Sequence, residues 1–381
     1  MSRIGVNTRL LIKDRLDGIG WYQYEILKRM VKANPSHQFY FFFDRNYDDS
    51  FVFADNVNPI VLRPQARHPI LFNYWFNHSI KKALKKYDIQ LFFSPDGFLC
   101  LDTNVPQVCT IHDLNFEHFP DDLRPSHSRY YRRQFPLFAN KANHLITVSN
   151  FSKNDIVQQY AVVKEKITTI FNGVNENYKP VSQQTKEKCQ LNYAEGRPFF
   201  LHIGSLSPRK NIVRLIQAFN AFKRSSESDV KLILAGNKYD WTSEMEQSLN
   251  NSAYKNDIIF TGRIKEADLI ELLGSALALT YVSYFEGFGM PILEAMRTET
   301  PVITSNCTSI PEVCGEAALL VDPFNVDEIA RAMTKIASDL SYGQQLIEKG
   351  KNRVSLFGWD KCAKETWTVI EKSLAGASIQ S

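Results

Sequence analysis

The sequence predicts an α/β protein with parallel sheets, divided into two domains. Three observations carry that expectation. Short apolar runs alternate with segments of helical periodicity through both halves of the chain, the pattern of strands joined by crossover helices. Several of these runs end in a turn of glycine or small polar residues that opens straight into a helix. Finally, 381 residues are more than one core usually organises, and a turn at Asn172-Gly173-Val174 with a polar stretch over 180–196 marks a boundary, so that 1–175 and 176–356 read as successive domains.

In the N-terminal half, residues 3–11 are the first expected strand. Asp17-Gly18-Ile19-Gly20 follows, then WYQYEILKRMVKAN, whose apolar residues recur at helical spacing. A strand-to-helix turn containing Gly18 and Gly20 can cradle a phosphate, although two glycines also serve a plain tight turn. Strands are expected at 38–43 and 57–62. Residues 71–87, LFNYWFNHSIKKALKKY, form a helix that carries aromatics together with Lys81, Lys82, Lys85 and Lys86. It reads either as a membrane-surface helix or as an ordinary amphipathic helix with a solvated lysine face. Strands at 89–93 and 106–111 end at Ser94-Pro95-Asp96-Gly97 and at His112-Asp113. Ligands of open parallel sheets lie beyond the carboxyl ends of strands, which places His112 where it can face one, although a lone histidine is more often structural. Tyr130-Tyr131-Arg132-Arg133 adds basic and aromatic surface on a helix, and Ser149 is the N-cap expected after a strand at 145–148. A strand at 167–171 closes this half.

In the C-terminal half, a strand at 198–203 runs into Gly204-Ser205-Leu206-Ser207-Pro208-Arg209-Lys210-Asn211 and then a helix over 212–223. Arginine gives bidentate contacts and lysine a point charge, so this turn is either a diphosphate clamp or an exposed basic turn. Strands follow at 230–235, closed by Gly236, and at 258–260, closed by Thr261-Gly262-Arg263, with a helix over 267–273. A strand at 276–283 leads into EGFGMPILEA, and another at 301–305 follows. Glu286 and Glu294 lie eight residues apart, with Gly287, Gly289 and Pro291 between them. Pro291 suits a first helical turn, and helix-start amides favour an anionic or hydroxyl-rich ligand. One carboxylate precedes the turn and the other sits on the helix, so both can flank what the turn holds. A helix whose acidic residue merely complements the dipole explains Glu294 alone, not Glu286 with two glycines and Phe288 in the turn. After Asp322 the chain reads as helical to its end.

Composition narrows the function classes. A hydrophobic content of 44% with 23% charged residues fits a soluble protein, and no window approaches the ~20 uninterrupted apolar residues of a membrane span. The N-terminus MSRIGVNTRLLIKDRL is broken by charges, so no secretory signal is expected and the expected location is cytoplasmic. None of the six cysteines forms a C-x-x-C pair, which leaves free buried thiols rather than a zinc or redox site. Residues 1–172 carry 22 Lys+Arg against 16 Asp+Glu, so the basic excess lies in the N-terminal half, where it can meet an anionic partner. That excess is modest and no nucleic-acid module is visible, so nucleic acid is not an expected partner.

Taken together, EGFGMPILEA, GSLSPRKN, TGR and DGIG before a helix resemble the retaining glycosyltransferases of family 4. The E-x7-E pattern from Glu286 to Glu294 is the most specific of these, and order and spacing agree over nearly the whole chain. The resemblance implies the GT-B fold: two Rossmann-like domains facing each other across a cleft, the first binding the acceptor and the second the nucleotide sugar. A last helix, from about 357 to 381, would cross back to the N-terminal domain. It implies transfer of a sugar from a nucleotide diphosphate with retained anomeric configuration. Arg209 and Lys210 would hold the diphosphate and neutralise the charge growing on the leaving group. Glu286 would accept from donor-sugar hydroxyls beside the amides of Gly287, Phe288 and Gly289, and Glu294 would accept from the ribose diol. Amides near Ile292 and Leu293 would face phosphate, Gly204 and Ser205 would line the phosphate pocket, and Arg263 and Ile264 would lie near the base. Gly18 and Gly20 would let the N-terminal loop approach the donor phosphates and acceptor, and His112 would contact the transferred sugar.

The family resemblance favours a binding role for Glu286 over that of a double-displacement nucleophile. The expected reaction has the acceptor attack on the leaving-group face while a donor phosphate takes its proton. No D-x-D motif sits where a metal-dependent sugar transferase would need one, so no cofactor and no metal are expected. The chain length and the HD-L and SNFSKNDI segments resemble bacterial O-antigen and capsule mannosyltransferases. GDP-mannose is therefore the first-choice donor, ahead of UDP-hexoses and dTDP- or GDP-linked deoxy sugars. The expected acceptor is a saccharide or lipid-linked oligosaccharide, with peripheral association at the anionic inner face of the plasma membrane through the basic half and the 71–87 helix. A nucleotide-binding scaffold that has lost catalysis is the alternative of another class, disfavoured because every matched motif residue is present.

Overall fold

The computed structural model describes residues 1–379. The chain forms two compact units, residues 1–173 together with 358 onward, and Val174–Phe357. The first holds a seven-stranded sheet of β1 (Arg3–Asn7), β2 (Gln38–Phe43), β3 (Val57–Val61), β4 (Leu91–Ser94), β5 (Gln107–Ile111), β6 (His144–Thr147) and β7 (Ile167–Thr169), in the order β3-β2-β1-β4-β5-β6-β7. The second holds a six-stranded sheet of β8 (Phe199–Ile203), β9 (Lys231–Ala235), β10 (Ile258–Phe260), β11 (Ala278–Tyr281), β12 (Val302–Ser305) and β13 (Leu319–Val321), in the order β10-β9-β8-β11-β12-β13. Every strand pairing in both sheets is parallel.

A parallel sheet covered by helices on both faces buries every residue of its central strands, so those strands read as continuous apolar runs. LFFS in β4, QVCTI in β5, FFLHI in β8 and KLILA in β9 are buried along their whole length. Each unit has its own core, built around Trp75, Phe76, Phe92 and Phe138 in the first and Phe200, Phe219, Phe222 and Met333 in the second. In both sheets the strand order reverses beside the unit's first strand, between β1 and β4 and between β8 and β11. The loops leaving two such strands diverge to opposite faces and open a crevice at the carboxyl ends.

The helix Trp359–Ile379 belongs to the first unit, where it lies along the helix Gly18–Ala33. Trp367 meets His37 and Phe39 with ring centroids 5.0 and 6.0 Å away. A Cβ at Gly173 would stand 2.3 Å from the Trp359 nitrogen, so only glycine lets the chain pass there.

Several elements differ from expectation. β1 ends at Asn7, and residues 8–17 form a loop that tucks Leu11 into the interior with its amide on the Thr8 carbonyl at 3.0 Å. The 71–87 segment lies in a helical stretch, Pro69–Tyr74, a π-helical turn Trp75–Ile80, and Lys81–Lys86. Phe72, Trp75, Phe76, Ile80 and Leu84 point into the core, and Trp75 Nε1 donates to the Leu62 carbonyl at 2.9 Å. Most of this aromatic face is therefore unavailable to a membrane, and the four lysines form a solvated face. β13 carries no sequence signal, because three residues, two half-buried and one buried, are too few to show a period. Among the described residues no helix is long and apolar enough to cross a membrane.

Candidate active site

In the second unit the crevice at β8 and β11 collects the charged residues of the two conspicuous motifs. The loop after β8 leaves with Gly204 at φ +135°, its amide on the Ala235 carbonyl at 3.0 Å. Leu206 donates to the Asn237 carbonyl at 3.0 Å, and a Cβ on Gly236 would stand 1.7 Å from the Gly204 oxygen. The loop thus crosses the end of β9 with no clearance. A 3-10 turn, Pro208–Lys210, ends at Asn211 in the left-handed region, φ 62°. Asn211 Nδ2 donates to the Val282 carbonyl at 3.0 Å and the Pro323 carbonyl at 2.6 Å, and the Tyr284 amide donates to the Arg209 carbonyl at 3.2 Å. These bonds tie the β8 loop to the β11 loop and to the segment after β13.

So held, Arg209 and Lys210 both reach Glu286. Arg209 Nη1 is 2.8 Å from Oε2 and also donates to the Phe285 carbonyl at 2.9 Å. Lys210 Nζ is 2.6 Å from Oε1, and the Tyr281 hydroxyl donates to the same oxygen at 2.9 Å. Lys210 also donates to the Tyr281 hydroxyl. Glu286 and Lys210 are each only 6% exposed. Burial by itself would push the Glu286 carboxyl up, but the charges of Arg209 and Lys210 outweigh it and hold the group down at about 2. It is an anion at any physiological pH and has no proton to give. Burial, with the Glu286 charge behind it, pushes the Tyr281 phenol well up, so Tyr281 stays a neutral donor. His202, stacked on Tyr281 at 6.1 Å, is pushed down to about 4 by burial and by Lys210, and stays neutral. Two cations around one carboxylate leave the cluster with net positive charge.

The turn that follows is rigid. Ser309 Oγ donates to the Glu286 carbonyl at 2.8 Å, and the Glu286 amide donates to Thr308 Oγ1 at 3.3 Å. Gly287, Phe288 and Gly289 are buried, and Phe288 meets Phe357 edge-on at 5.9 Å. Gly289 caps the helix Met290–Arg297 at φ +97°, where a Cβ would stand 2.9 Å from Ile310 Cδ1. The expectation that the amides near Ile292 and Leu293 face a ligand needs correction at Ile292, whose amide is spent on the Gly289 carbonyl at 3.1 Å. Both side chains are fully buried.

Glu294, one turn into that helix, is in the opposite state to Glu286. Burial first, and then the charge of Glu266, push its carboxyl up to about 7, against a hydrogen bond from Tyr178. Glu266 itself accepts from Asn175 Nδ2 at 3.3 Å. One carboxylate of the pair is pinned as an anion and the other titrates near neutrality. Ser205 is exposed on the β8 loop, and Arg263 (exposed) and Ile264 (half-buried) follow β10, two strands from β8.

Gly18, Gly20 and His112 lie in the first unit. Asp17 is the N-cap of the helix Gly18–Ala33 and its Oδ1 takes the Gly20 amide at 2.9 Å. Gly20 is cramped, with the Leu10 oxygen 3.2 Å from where a Cβ would sit, whereas Gly18 is exposed with open space around it. The two glycines thus belong to a capped helix start, and the Gly20 amide is already engaged. His112 Nε2 contacts the Pro95 carbonyl at 2.8 Å. A carbonyl only accepts, so Nε2 carries the hydrogen and Nδ1 is the ring's acceptor. Burial pushes the His112 imidazole down, and Tyr22 holds it edge-on at 4.8 Å.

Sequence reading missed several partners. Tyr281 closes β11 and reads as one more core aromatic; only its position five residues before Glu286 could have marked it. Tyr178 and Glu266 are far from Glu294 in sequence. At the first unit's own strand-order reversal a buried pair, Arg9 Nη2 to Asp96 Oδ2 at 2.9 Å, was not anticipated, with the guanidinium 4.7 Å from the Phe98 ring centre. Among the described residues no group of three or more His, Cys, Asp and Glu is placed to hold a metal.

Comparison with known proteins fits this geometry. Residues 16–178 match the family model Glycosyltransferase Family 4, and residues 183–353 match Glycosyl transferases group 1. The chain is 29% identical over 370 residues to O-antigen chain mannosyltransferase B of Escherichia coli, covering 93% of this chain and 96% of that one. It is 32% identical over 262 residues to O-antigen chain mannosyltransferase RfbU of Salmonella typhimurium, covering 69% and 68%. Among solved structures it resembles sucrose-phosphate synthase from Thermosynechococcus elongatus (TM-score 0.80, 19% identity, 99% and 100% covered) and WaaG, a glycosyltransferase involved in lipopolysaccharide biosynthesis (0.76, 16%, 96% and 99%). At such identities these two establish the fold, which is GT-B. Two parallel-sheet units with a cationic cluster at a strand-order reversal, matched over these lengths, make the protein a glycosyltransferase. Within that class the chain belongs to glycosyltransferase family 4, with the group 1 domain as its second half.

Proposed function

We propose that the protein transfers mannose, with retention, from GDP-mannose to a saccharide or lipid-linked oligosaccharide during synthesis of a cell-surface polysaccharide. The observation that carries the chemistry is the convergence of Arg209 and Lys210 on a buried, ionised Glu286. The choice of mannose is supported by the relative that spans 93% of the chain, an O-antigen chain mannosyltransferase. The second unit binds the nucleotide sugar and the first the acceptor.

Arg209 and Lys210 hold the diphosphate and offset the charge that builds on it as the sugar departs, where fixed cations in a dry site act most strongly. Glu286 accepts hydrogen bonds from donor hydroxyls. Both its oxygens are already tied to cations and to Tyr281, which weakens it as a nucleophile. The acceptor oxygen therefore attacks the anomeric carbon on the face that the diphosphate leaves. The sugar–phosphate bond breaks, the new glycosidic bond forms, and the acceptor proton passes to the released diphosphate. Glu294 accepts from the ribose diol, and His112 offers Nδ1 to a hydroxyl of the transferred sugar. Because the two cations meet the leaving charge, no metal is required. Lys81, Lys82, Lys85 and Lys86, with exposed Ile70 and Tyr74 on the same helical stretch, form the face that meets anionic lipid.

Thermal unfolding with GDP-, UDP- and dTDP-sugars, followed by turnover in excess EDTA, tests this reading, since a ligand of the native state raises apparent stability by mass action. GDP-mannose is expected to give the largest shift and to release GDP when acceptor is present. A shift with a UDP- or dTDP-sugar alone would reassign the donor, and no shift with any of them would remove the nucleotide-sugar reading.

A further inference from the structure

β11 is buried along its whole length, and its last side chain, Tyr281, is 2% exposed. A phenylalanine would fill such a place as well, and a buried hydroxyl costs free energy unless it is paired. The Tyr281 hydroxyl is paired on both sides. It donates to Glu286 Oε1 at 2.9 Å and accepts from Lys210, whose Nζ also stands 2.6 Å from that Oε1. The phenol, the ammonium and the carboxylate thus close a triangle in which each touches the other two. The direction of its bonds is fixed. Lys210 can only donate and the ionised Glu286 can only accept, so the phenol must give its hydrogen to the carboxylate.

The surroundings of Tyr281 hold its ring in place. Tyr281 pairs with Thr304 of β12, and Thr304 Oγ1 donates to the Tyr281 carbonyl at 2.7 Å. The ring stacks on His202, 16° from parallel with centroids 6.1 Å apart. His202 is itself fully buried, with Nδ1 donating to the Thr280 carbonyl at 3.2 Å. Lys210 and Glu286, by contrast, belong to the loops that follow β8 and β11. The hydroxyl at the end of a central strand is therefore the rigid member of the triangle, and groups carried on loops gain precision from such a support.

We infer that Tyr281 is a positioning residue for the transfer: its hydroxyl sets the direction in which the Glu286 carboxylate meets the donor sugar and keeps Lys210 beside it. The inference rests on the reading of this cluster as the donor site. Its effect on the two halves of the donor is uneven. Hydrogen bonds from sugar hydroxyls to a carboxylate are directional, whereas an ammonium acts on a diphosphate as a point charge and tolerates a small shift. Loss of the hydroxyl therefore weakens the hold on the sugar and leaves the hold on the nucleotide nearly as it was.

The test is titration calorimetry of GDP and of GDP-mannose into the parent, Tyr281→Phe and Tyr160→Phe, with UDP and UDP-glucose as a second pair. Tyr281→Phe keeps the shape of the core and removes the hydroxyl alone. Tyr160→Phe is the structural control, because it removes a buried phenol–carboxylate bond of the same length in the first unit, Tyr160 to Glu117 Oε1 at 2.9 Å. Tyr281→Phe is expected to weaken GDP-mannose about tenfold, the size of one lost hydrogen bond to a charged group. GDP itself should weaken by less than about twofold, since a point charge still faces the diphosphate. Tyr160→Phe should change neither affinity. Equal weakening of GDP and GDP-mannose in Tyr281→Phe, no weakening of either, or the same pattern in Tyr160→Phe would overturn the inference. A parent that binds the UDP pair and not the GDP pair would remove the proposed donor alone, and the same comparison is then read on UDP-glucose against UDP. A parent that binds none of the four would overturn the donor-site reading and this inference with it.

Discussion

Replacing Glu286 with glutamine removes the charge at the centre of the Arg209–Lys210 cluster while keeping size and shape. In the folded protein this carboxyl is held at about 2 against an ordinary 4.5. At ~1.36 kcal/mol for each tenfold change in proton affinity, that gap corresponds to about 3 kcal/mol favouring the charged form. Glu286→Gln forfeits this and leaves Lys210 buried without a counter-charge, so the variant should be less stable at pH 7 by about 3 kcal/mol, within the range for breaking a buried pair. For a unit of this size that is a fall in Tm of roughly 6–12 °C. The pH dependence gives a second handle. Because the folded value is depressed, the stabilisation is complete above the unfolded value of 4.5 and is lost as pH falls through about 2. The parent should therefore lose stability relative to the variant between those limits, and the two should converge at the acid end. Calorimetric or circular-dichroism melts from pH 7 to pH 2 measure both effects. If Glu286→Gln melts with the parent at pH 7 and follows the same acid limb, the ion cluster does not exist as described. Turnover should fall about ten- to 150-fold, the loss of a hydrogen bond to a charged acceptor of about 1.5–3 kcal/mol.

Glu294 carries the opposite sign: its folded value, about 7, lies above the ordinary 4.5, so its contribution is present below 4.5 and lost as pH rises to about 7. Melts of the parent minus those of Glu294→Gln should decline across that window and level off above it; a flat difference would show that Glu294 is not buried against Glu266. Arg209→Ala should lower kcat/KM about 10²- to 10³-fold by removing one of the two cations aimed at the leaving group, and a loss below fivefold in steady-state assays would place the leaving group elsewhere. Gly236→Ala puts a Cβ 1.7 Å from the Gly204 oxygen, a collision that backbone must relieve, and should cost several kcal/mol in denaturant melts together with weakened GDP binding; a stable variant with normal GDP affinity would contradict the loop geometry. Turnover should persist in excess EDTA, and activity that vanishes with chelator and returns with Mg or Mn would assign the leaving-group charge to a metal.

Much of the fold is legible because the strands of a parallel sheet are apolar runs: FYFFF within 38–43 and IIF at 258–260 mark their strands to the residue, although both strands are only partly buried. The same cue misleads where an apolar residue lies beyond a strand but stays inside, as Leu11 does after β1. Arg209, Lys210 and Glu286 were visible because charge beside glycine at a strand end has few purely structural uses. Their mutual ion pairing was not visible, since it depends on which strands are neighbours, and β8 meets β11 with Phe200 beside Ala278, 78 residues apart in chain order, a pairing that no local pattern encodes. Trp75 and Phe76 beside four lysines could be read as a membrane surface or a core face, and only the helix register against β2 and β4 decides. Gly20 carried a phosphate expectation that Asp17 takes over, because an N-cap side chain reaches the amide first.

Transfer from GDP-mannose to a mannose-terminated acceptor, followed by NMR of the anomeric signals with the parent and Arg209→Ala side by side, puts the proposed chemistry to its most direct test. An α-linked product appearing in step with GDP, and slowed at least a hundredfold in the variant, is the expected result. A β-linked product, or transfer that Arg209→Ala leaves intact, would contradict a retaining transfer run from the Arg209–Lys210–Glu286 cluster.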